Sequence, residues 1–175
     1  MTDKITHIQD QLLVMDAQAG SRVALEELVR RWYTKLRQHA FNLTSDEQAA
    51  WDIAQKSWYD IIRGLRRLND PAHFQAWAYK ITTHRAMDWL RDQRRHQHTS
   101  LVSTEALCTC QEEDSDGLEH MHRLKEKSRL VLSLYYLENL TVAEISIALD
   151  IPAGTVKSRL YKARQELKTL LDNTP

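Results

Sequence analysis

Apolar residues recur every three or four positions through the first half of the chain, which is the period of an amphipathic helix. This pattern predicts a first helix that runs through Leu12 and Leu13 and ends near Gly20. Ser21 can cap the next helix, because its hydroxyl can accept a hydrogen bond from a backbone N–H of the first turn. The Thr-Ser-Asp sequence at 44–46 predicts the start of a third helix.

The third and fourth helices carry many of the aromatic residues. An apolar stripe follows the third helix at helical spacing, and we expect it to pack in the core: Trp51, Ala54, Trp58, Ile61, Ile62 and Leu65. Residues 63–73 then form a basic loop that the Asn-Asp-Pro sequence at 69–71 stops. A fourth helix from Phe74 ends in the charged run 91–95, which is either a solvated helix end or a stripe that binds phosphates.

Composition places the chain in the all-α class. Four glycines and three prolines in 175 residues leave few helix breakers. No apolar run is long enough to span a membrane, and the N-terminus carries charges where a signal peptide would be apolar. Two cysteines do not make a disulfide framework. We therefore expect a soluble, cytoplasmic protein with no cofactor and no membrane insertion.

Near the C-terminal end, the pattern predicts two short helices joined by a tight turn. Thr141 and Glu144 have the spacing of a capping box, and residues 150–154 break the helix at Pro152. The second helix opens at Thr155 with an apolar inner face and a basic outer face. Many helical hairpins look like this and bind nothing. Here the exposed cations and hydrogen-bonding groups favour a DNA-binding helix-turn-helix over a structural hairpin.

The net charge of zero hides a segregation of charge along the chain. Residues 99–122 contain six carboxylates and no Lys or Arg, whereas 1–98 and 123–175 each carry a net charge of +3. Helical periodicity is lost across 96–122 and resumes over 123–137. The sequence therefore predicts two small helical domains, at 1–98 and 123–175, joined by a flexible acidic linker at 99–122.

Taken together, these motifs resemble a known protein family. Residues 129–167 resemble region four of bacterial sigma factors, and the string at 151–164, IPAGTVKSRLYKAR, is similar to the family pattern almost position for position. Four further segments resemble the opening, polymerase-docking and promoter-melting helices of region two: 24–29, 52–55, 74–81 and 85–91. Two such domains with a short linker resemble the extracytoplasmic-function (ECF) group of the sigma-70 family.

The resemblance implies a sigma factor that is not an enzyme. Its partners would be core RNA polymerase, promoter DNA and an anti-sigma factor. The residues implied for polymerase binding are Asp52, Gln55, Lys56 and Tyr59. Those implied for the downstream (minus-ten) element, as a base-pocket wall and phosphate-binding cations, are Arg66, Arg67, Asn69, Asp70, His73, Phe74, Lys80, Arg85 and Arg91. Those implied for the upstream (minus-thirty-five) element are Thr155, Lys157, Ser158, Arg159, Tyr161, Lys162 and Arg164.

Two positions depart from the family pattern. Lys56 stands where the family usually has an acidic residue, which reverses the charge at one point of the docking helix. Asp150 stands where the turn of the helix-turn-helix commonly has glycine. Because Asp tolerates the left-handed backbone region better than most residues, we expect the turn to form.

Two other functional classes would explain part of the sequence. A helix-turn-helix regulator that does not bind polymerase accounts for the C-terminal half but not for the N-terminal domain. A metal site or enzyme would depend on closely spaced His and Cys residues: His96, His98, Cys108, Cys110, His120 and His122. Each pair is spaced by two, closer than usual in zinc sites, and no activated nucleophile or acid–base pair accompanies them.

The acidic linker has two interpretations. As a spacer it needs only length and flexibility. Under the interpretation that the family resemblance implies, it threads through the positively charged RNA-exit path of polymerase, where its carboxylates take the place of RNA phosphates.

Neutralising the six linker carboxylates distinguishes a spacer from a mimic of nucleic acid. The change replaces these residues by Gln or Asn: Glu105, Glu112, Glu113, Asp114, Asp116 and Glu119. Length and flexibility are kept, so a mimic predicts altered affinity for core polymerase and an altered yield of short abortive transcripts. Both effects should be largest at low salt, where charge is least screened. If the neutralised variant initiated like the wild type at every salt concentration, the linker would act only as a spacer.

Overall fold

The computed structural model describes residues 2–99, 121 and 123–172, and the regular secondary structure in these parts is entirely helical. The first bundle is formed by α1 (Thr2–Gln18), α2 (Arg22–Thr44), α3 (Glu47–Gly64) and α4 (Phe74–Thr99). The second bundle is formed by α5 (Glu126–Leu132), a π-helical turn (Ser133–Leu137), α6 (Val142–Leu149) and α7 (Ala153–Asp172). The all-α prediction is confirmed. Apart from Thr99 and Met121, the predicted linker lies outside the described residues, so its boundaries remain a prediction.

The second and third helices begin at the caps that the sequence predicts. The Ser21 hydroxyl accepts a hydrogen bond from the backbone N–H of Ala24 at 3.3 Å. The Asp46 carboxylate accepts one from the N–H of Ala49 at 2.8 Å, next to the positive end of α3, where a carboxylate is favourable. Gly20 separates α1 from α2 with a φ of 102°, a conformation that glycine adopts without steric cost.

The core of the first bundle is centred on α2. Leu28, Trp32 and Leu36 follow one another at intervals of four residues and are each at most 2% exposed. Burying side chains of this size contributes about 1.5–3 kcal/mol each to the free energy of unfolding. The Trp32 ring meets two rings of α4 edge-on, Phe74 at 5.4 Å and Tyr79 at 5.8 Å between centroids. These contacts fix α4 against α2.

Two members of the apolar stripe predicted on α3 are not in the core. Trp51 and Ile62 are 42% and 46% exposed, whereas Trp58 and Ile61 are buried. The buried face of α3 is centred near Ser57 and Ile61, and Trp51 and Ile62 lie about 100–120° to one side of it at 3.6 residues per turn. The two side chains therefore belong to the flank of the helix that faces solvent.

The segment between α3 and α4 is more ordered than the predicted basic loop. It forms two short 3-10 turns, Leu65–Arg67 and Pro71–His73. The side-chain amide of Gln18, at the end of α1, donates hydrogen bonds of 2.8 Å to the carbonyls of Leu65 and Leu68. The Gln18 amide of α1 therefore holds the first of these turns in place. The fourth helix, α4, continues to Thr99, beyond the charged run at 91–95.

The second bundle contains the predicted helix-turn-helix. Thr141 and Glu144 form a capping box, with each side chain bonded to the backbone N–H of the other residue. Asp150 takes the left-handed conformation with a φ of 54°, as the sequence predicts. The Ser146 hydroxyl donates a hydrogen bond of 2.6 Å to the carbonyl of Ile151 and closes the turn. No described helix of the protein is both long and apolar enough to cross a lipid bilayer.

Two helix boundaries in this bundle differ from the prediction. The second helix of the motif starts at Ala153, two residues before Thr155, because the N–H groups of Thr155 and Val156 already bond to the Pro152 carbonyl. The helix expected over 123–137 starts only at Glu126 and then widens into the π-helical turn. The inner face of α7 is as predicted, with Val156, Leu160 and Ala163 each at most 3% exposed.

Two glycines allow a matched test of the packing between α3 and α4. A Cβ on Gly64 would lie 2.8 Å from Cζ2 of Trp77, whereas a Cβ on Gly154 would meet nothing within 4 Å. We expect Gly64→Ala to lower the free energy of unfolding by about 1–3 kcal/mol through overpacking. Gly154→Ala should raise it by up to about 1 kcal/mol through helix propensity. Urea unfolding followed by circular dichroism measures both free energies of unfolding. If the two substitutions changed the free energy of unfolding equally, the packing described for Gly64 would be contradicted.

Candidate protein and nucleic-acid interfaces

The outer face of α3 presents charged and aromatic side chains to solvent. All four residues that the sequence analysis assigns to polymerase binding are exposed on it: Asp52, Gln55, Lys56 and Tyr59. Tyr59 is 60% exposed, and the guanidinium of Arg63 lies 5.3 Å from its ring centroid. Aromatic and arginine side chains of this kind dominate the binding energy of many protein interfaces.

An aromatic cluster that the sequence pattern did not predict lies at the N-terminal end of this face. The Trp51 ring lies 5.7 Å from the Tyr33 ring and 5.3 Å from the guanidinium of Arg37. Partial burial raises the pKa of Tyr33, so its hydroxyl stays protonated at neutral pH. Helical spacing was the available signal, because Trp51 precedes Gln55 by four residues and therefore lies on the same side of α3.

The segment before α4 exposes cations but also uses two predicted site residues for its own structure. Arg66, Arg67 and Asn69 are exposed, as a nucleic-acid surface requires. The Asp70 carboxylate accepts a hydrogen bond of 2.9 Å from the N–H of Ala72 and lies 3.1 Å from Nδ1 of His73. Asp70 and His73 therefore shape the turn that leads into α4.

The prediction that Phe74 lines a base pocket is wrong. Phe74 is only 2% exposed, because its ring fills the space between Trp32 and Trp77 at the start of α4. A buried ring of this kind cannot stack on an unpaired base. Its role is to position α4 against the first bundle.

The three cations predicted on α4 each have a carboxylate partner. Arg85 pairs with Asp60 of α3, with Nε 2.8 Å from Oδ2, and Arg91 pairs with Asp88 at 2.9 Å. The Nζ of Lys80 lies 3.5 Å from Oδ2 of Asp150, in the turn of the helix-turn-helix. Solvent-exposed pairs contribute little to stability, so a DNA phosphate can replace these carboxylates at small cost.

The three α4 cations do not share one face. Lys80 and Arg91 are eleven residues apart, which places them on the same side of the helix. Arg85 lies about 140° around the helix from Lys80 and faces α3. A strand of DNA that follows Lys80 and Arg91 therefore passes at a distance from Arg85.

The outer face of α7 carries the side chains predicted to contact base edges. Those that are exposed are Lys157, Ser158, Tyr161 and Lys162. The Ser158 hydroxyl donates a hydrogen bond of 3.0 Å to the carbonyl of Thr155, so its lone pairs remain available to accept from a base. Gln165, which the sequence analysis did not name, is also exposed and follows Ser158 by seven residues on the same side.

The residues at the margins of α7 have different surroundings. Thr155 and Arg159 are partly buried. Arg164 is held within its own bundle, because its Nε donates a hydrogen bond of 2.9 Å to the Tyr136 hydroxyl and its guanidinium stacks 5.3 Å from the Tyr135 ring centroid. Arg164 can meet a phosphate only along the exposed edge of that stack.

The alternative metal site receives no geometric support from the described residues. Among them, no group of three or more His, Cys, Asp or Glu side chains is close enough to hold a metal ion. His96 is exposed at the end of α4. The other candidate metal ligands have side chains that the structure does not describe: His98, Cys108, Cys110, His120 and His122.

The sequence matches two family models. Residues 28–96 match the model described as Sigma-70 region 2, and residues 118–167 match the model described as Sigma-70, region 4. The first match covers α3 and most of α2 and α4, and the second covers α5, α6 and α7 as far as residue 167.

Known proteins are similar to the chain over nearly its whole length. The RNA polymerase sigma-H factor of Pseudomonas aeruginosa is 26% identical over 185 residues, which cover 95% of this chain and 96% of that protein. The ECF RNA polymerase sigma factor SigW of Bacillus subtilis is 24% identical over 176 residues, with coverages of 90% and 94%. The ECF RNA polymerase sigma-E factor of Haemophilus influenzae is 27% identical over 186 residues, with coverages of 96% and 96%.

Two solved structures have a similar fold. CnrH, in complex with the cytosolic domain of CnrY, superposes with a TM-score of 0.73 at 23% identity and covers 95% of this chain and 99% of that chain. The sigma factor RpoE of Bartonella quintana, in complex with the anti-sigma factor NepR, gives a TM-score of 0.70 at 18% identity, with coverages of 86% and 98%. At these identities the similarity concerns the fold.

Proposed function

The chain belongs to the ECF group of the sigma-70 family, and from this membership we propose which of its surfaces bind core polymerase and which bind promoter DNA. The protein is a sigma factor that binds core RNA polymerase and directs initiation at specific promoters. Proteins of this family are initiation factors, and the polymerase itself carries out RNA synthesis. The protein would therefore act in the cytoplasm, where polymerase and promoter DNA are found.

The observation that carries this proposal is the pairing of two exposed faces on two family domains. The region 2 domain exposes the charged and aromatic face of α3, and the region 4 domain exposes the cationic face of α7. A helix-turn-helix regulator that never binds polymerase would need only the second face. The presence of both favours a protein that connects polymerase to DNA.

Core polymerase would bind to α3. Asp52, Gln55, Lys56 and Tyr59 supply polar contacts, and the half-exposed Trp51 supplies an apolar anchor at one end. Lys56 makes this face less acidic than is usual in the family, so the cluster of Trp51 would carry more of the binding energy.

The minus-ten element would bind along the segment before α4 and along α4 itself. Arg66, Arg67, Lys80 and Arg91 would contact the phosphates of one DNA strand, with Asn69 close enough to read an unpaired base. Phe74 supports this surface from beneath, through its contact with Trp32.

The minus-thirty-five element would be read in the major groove by α7. Lys157, Ser158, Tyr161 and Lys162 would reach base edges, and Arg159 would contact the phosphate backbone from its partly buried position. This division follows from the helix geometry, because Arg159 lies at the border between the inner and outer faces.

An anti-sigma factor is the further partner that we propose. One structure of similar fold contains an anti-sigma factor, and another contains the cytosolic domain of a second protein. A protein of this kind would hold the chain away from polymerase until an inducing signal arrives.

Docking on α3 is tested with the double variant Asp52→Ala/Gln55→Ala. Both side chains are exposed, so the helical content should be unchanged while affinity for core polymerase falls about tenfold. Purified core polymerase with a cognate promoter measures affinity and promoter-specific initiation together. Asp172→Ala, which removes an exposed carboxylate at the end of α7, is the control. We expect Lys56→Glu to tighten binding to core polymerase or leave it unchanged. If the double variant bound core polymerase as tightly as the wild type, the assignment of the docking face to α3 would be refuted.

DNA recognition by α7 is tested with single substitutions assayed in the holoenzyme. Ser158→Ala and Lys162→Ala should relax the preference for individual upstream base pairs, by about 1–3 kcal/mol where the contact is bidentate. Arg159→Ala should instead weaken binding to all sequences and reduce the dependence on salt. An unchanged upstream preference in both the Ser158 and Lys162 variants would show that α7 enters the groove with another face.

A further inference from the structure

The first helix, α1, has apolar residues on two opposite faces. One face packs on α2 and on the turns before α4, and it includes Val14, which is completely buried. The other face is in solvent, and its four large apolar side chains are between 54% and 59% exposed: Ile5, Ile8, Leu12 and Met15. We call these four residues the α1 stripe.

The α1 stripe points away from the rest of its bundle. At 3.6 residues per turn, the centre of the stripe lies roughly 160–200° around the helix from Asp10 and Val14, which are both buried. Single apolar residues are common on protein surfaces, but these four follow one another at intervals of three, four and three. That is the spacing of positions a and d in a coiled-coil heptad, so the four side chains form one continuous seam.

The width of the stripe defines what can cover it. A seam that occupies two positions in seven is narrow, and in a coiled coil it is covered by one helix that carries an apolar seam of its own. The length from Ile5 to Met15 is about 15 Å, or three helical turns. The occupant that fits is therefore an amphipathic α-helix of at least this length.

A second copy of α1, in antiparallel orientation, fits the stripe along its whole length. The four positions are symmetric about position 10, so a two-fold axis there places Ile5 opposite Met15 of the second copy and Ile8 opposite its Leu12. Every stripe residue then meets another stripe residue. The two helix dipoles also run in opposite directions, which is the favourable arrangement for neighbouring helices.

The rim of the stripe is compatible with this pairing because its described side chains are nearly uncharged. Gln9 and Gln11 flank the seam close to position 10, and each would lie beside the same residue of the second copy, where two amides can exchange hydrogen bonds. Asp16 is the charged residue among the described side chains of the rim, and the two copies of it would be about 18 Å apart along the helix axis. Antiparallel pairing therefore brings no like charges of these side chains together, and a helix with charged flanking positions would gain nothing from this rim.

The area of the stripe determines how strong the pairing can be. Covering the exposed parts of four large aliphatic side chains removes roughly 400 Å² per copy from water. Stable protein complexes bury about 800 Å² per partner, so the stripe alone is too small for a permanent dimer. A reversible dimer with a Kd on the order of 0.1 mM is what this area supports.

We propose that the α1 stripe is a self-association surface, through which two copies of the chain pair as an antiparallel two-helix coiled coil. The stripe shares no residue with the surfaces of α3, α4 and α7 that we assign to polymerase and DNA. The pairing is therefore a property of the chain itself and does not rest on the function proposed above. Because the dimer is weak, it forms where the local concentration of the protein is high and dissociates on dilution.

The first test measures self-association of the full chain by sedimentation equilibrium, from about 5 μM to about 500 μM. The wild type should show a monomer–dimer equilibrium. Ile8→Gln and Leu12→Gln should each weaken it at least about tenfold, because each places an amide in the centre of the seam. Val23→Gln is the matched control, since Val23 is an equally apolar residue that is 78% exposed but lies on α2, outside the stripe. It should dimerise like the wild type.

Three results of this experiment would overturn the proposal. A wild-type chain that is monomeric at every concentration would assign the stripe to a helix of another protein. Stripe variants that dimerise like the wild type, or a Val23→Gln variant that loses dimerisation equally, would place the contact elsewhere. Misfolding does not confuse these outcomes, because the substituted side chains are mostly in solvent and circular dichroism should show unchanged helical content.

The second test determines the orientation of the two helices. Single cysteines at Gln9 or Asp16, in a chain with Cys108 and Cys110 replaced by serine, carry one spin label per copy. Antiparallel pairing separates the two labels along the axis by about 3 Å at position 9 and by about 18 Å at position 16, so the second distance should be clearly longer. Equal distances at the two positions would show parallel helices and refute the antiparallel dimer.

Salt provides an independent check on the nature of the contact. Because the described rim is nearly uncharged, the Kd of the dimer should change by less than about threefold between low and high ionic strength. A dimer that dissociates steeply with added salt would be held by charged surfaces, and the α1 stripe would not be its interface.

Discussion

The burial of Trp32 is the interaction on which the rest of the structure depends. Its ring lies between two other helices: the indole N–H donates a hydrogen bond of 3.0 Å to Asp10 of α1, and the ring makes edge-on contacts with Phe74 and Tyr79 of α4. These contacts set the position of α4 relative to α2. The orientation of α4 in turn decides which way Lys80 and Arg91 face, and where Tyr79 meets Glu138.

The two domains use different physical means to present their surfaces. The region 2 domain packs large aromatic rings beneath α4, so its nucleic-acid face is positioned by a rigid core. The region 4 domain is small, and hydrogen bonds at helix ends define much of its shape: the capping box of Thr141 and Glu144 and the bond from Ser146 to the Ile151 carbonyl. The helix that we propose to read DNA, α7, is therefore held both by the hydrogen bonds that close the turn and by Val156 and Leu160 beneath it.

Local features of the fold were predictable because they depend on residues close together in sequence. Ser21, Asp46 and Thr141 cap helices through backbone N–H groups three residues away, and Asp150 adopts its left-handed conformation within a single turn. Exposure was harder to predict. Trp51 and Trp58 are seven residues apart and so appear on one stripe, yet only Trp58 is covered by the rest of the bundle.

Contacts between distant residues were not predictable from periodicity. The family resemblance implied that Phe74 lines a base pocket, but the surroundings of its ring are decided by Trp32, which lies in another helix. The hydrogen bond between the Tyr79 hydroxyl and the Glu138 carboxylate joins positions 59 residues apart, one in each bundle. No repeat or motif in the sequence marks Glu138, whose significance appears only when both domains are assembled.

Asp150 has a consequence for how salt acts on this protein. Glycine would form the same left-handed turn without strain, but it would bring no charge to Lys80. With Asp in that place, Lys80 is paired with a carboxylate and would have to leave it before contacting a DNA phosphate. Added electrolyte screens the starting pair and the phosphate contact alike, so the two effects partly cancel. The contribution of Lys80 to DNA binding would therefore depend less on salt than that of a cation without a carboxylate partner.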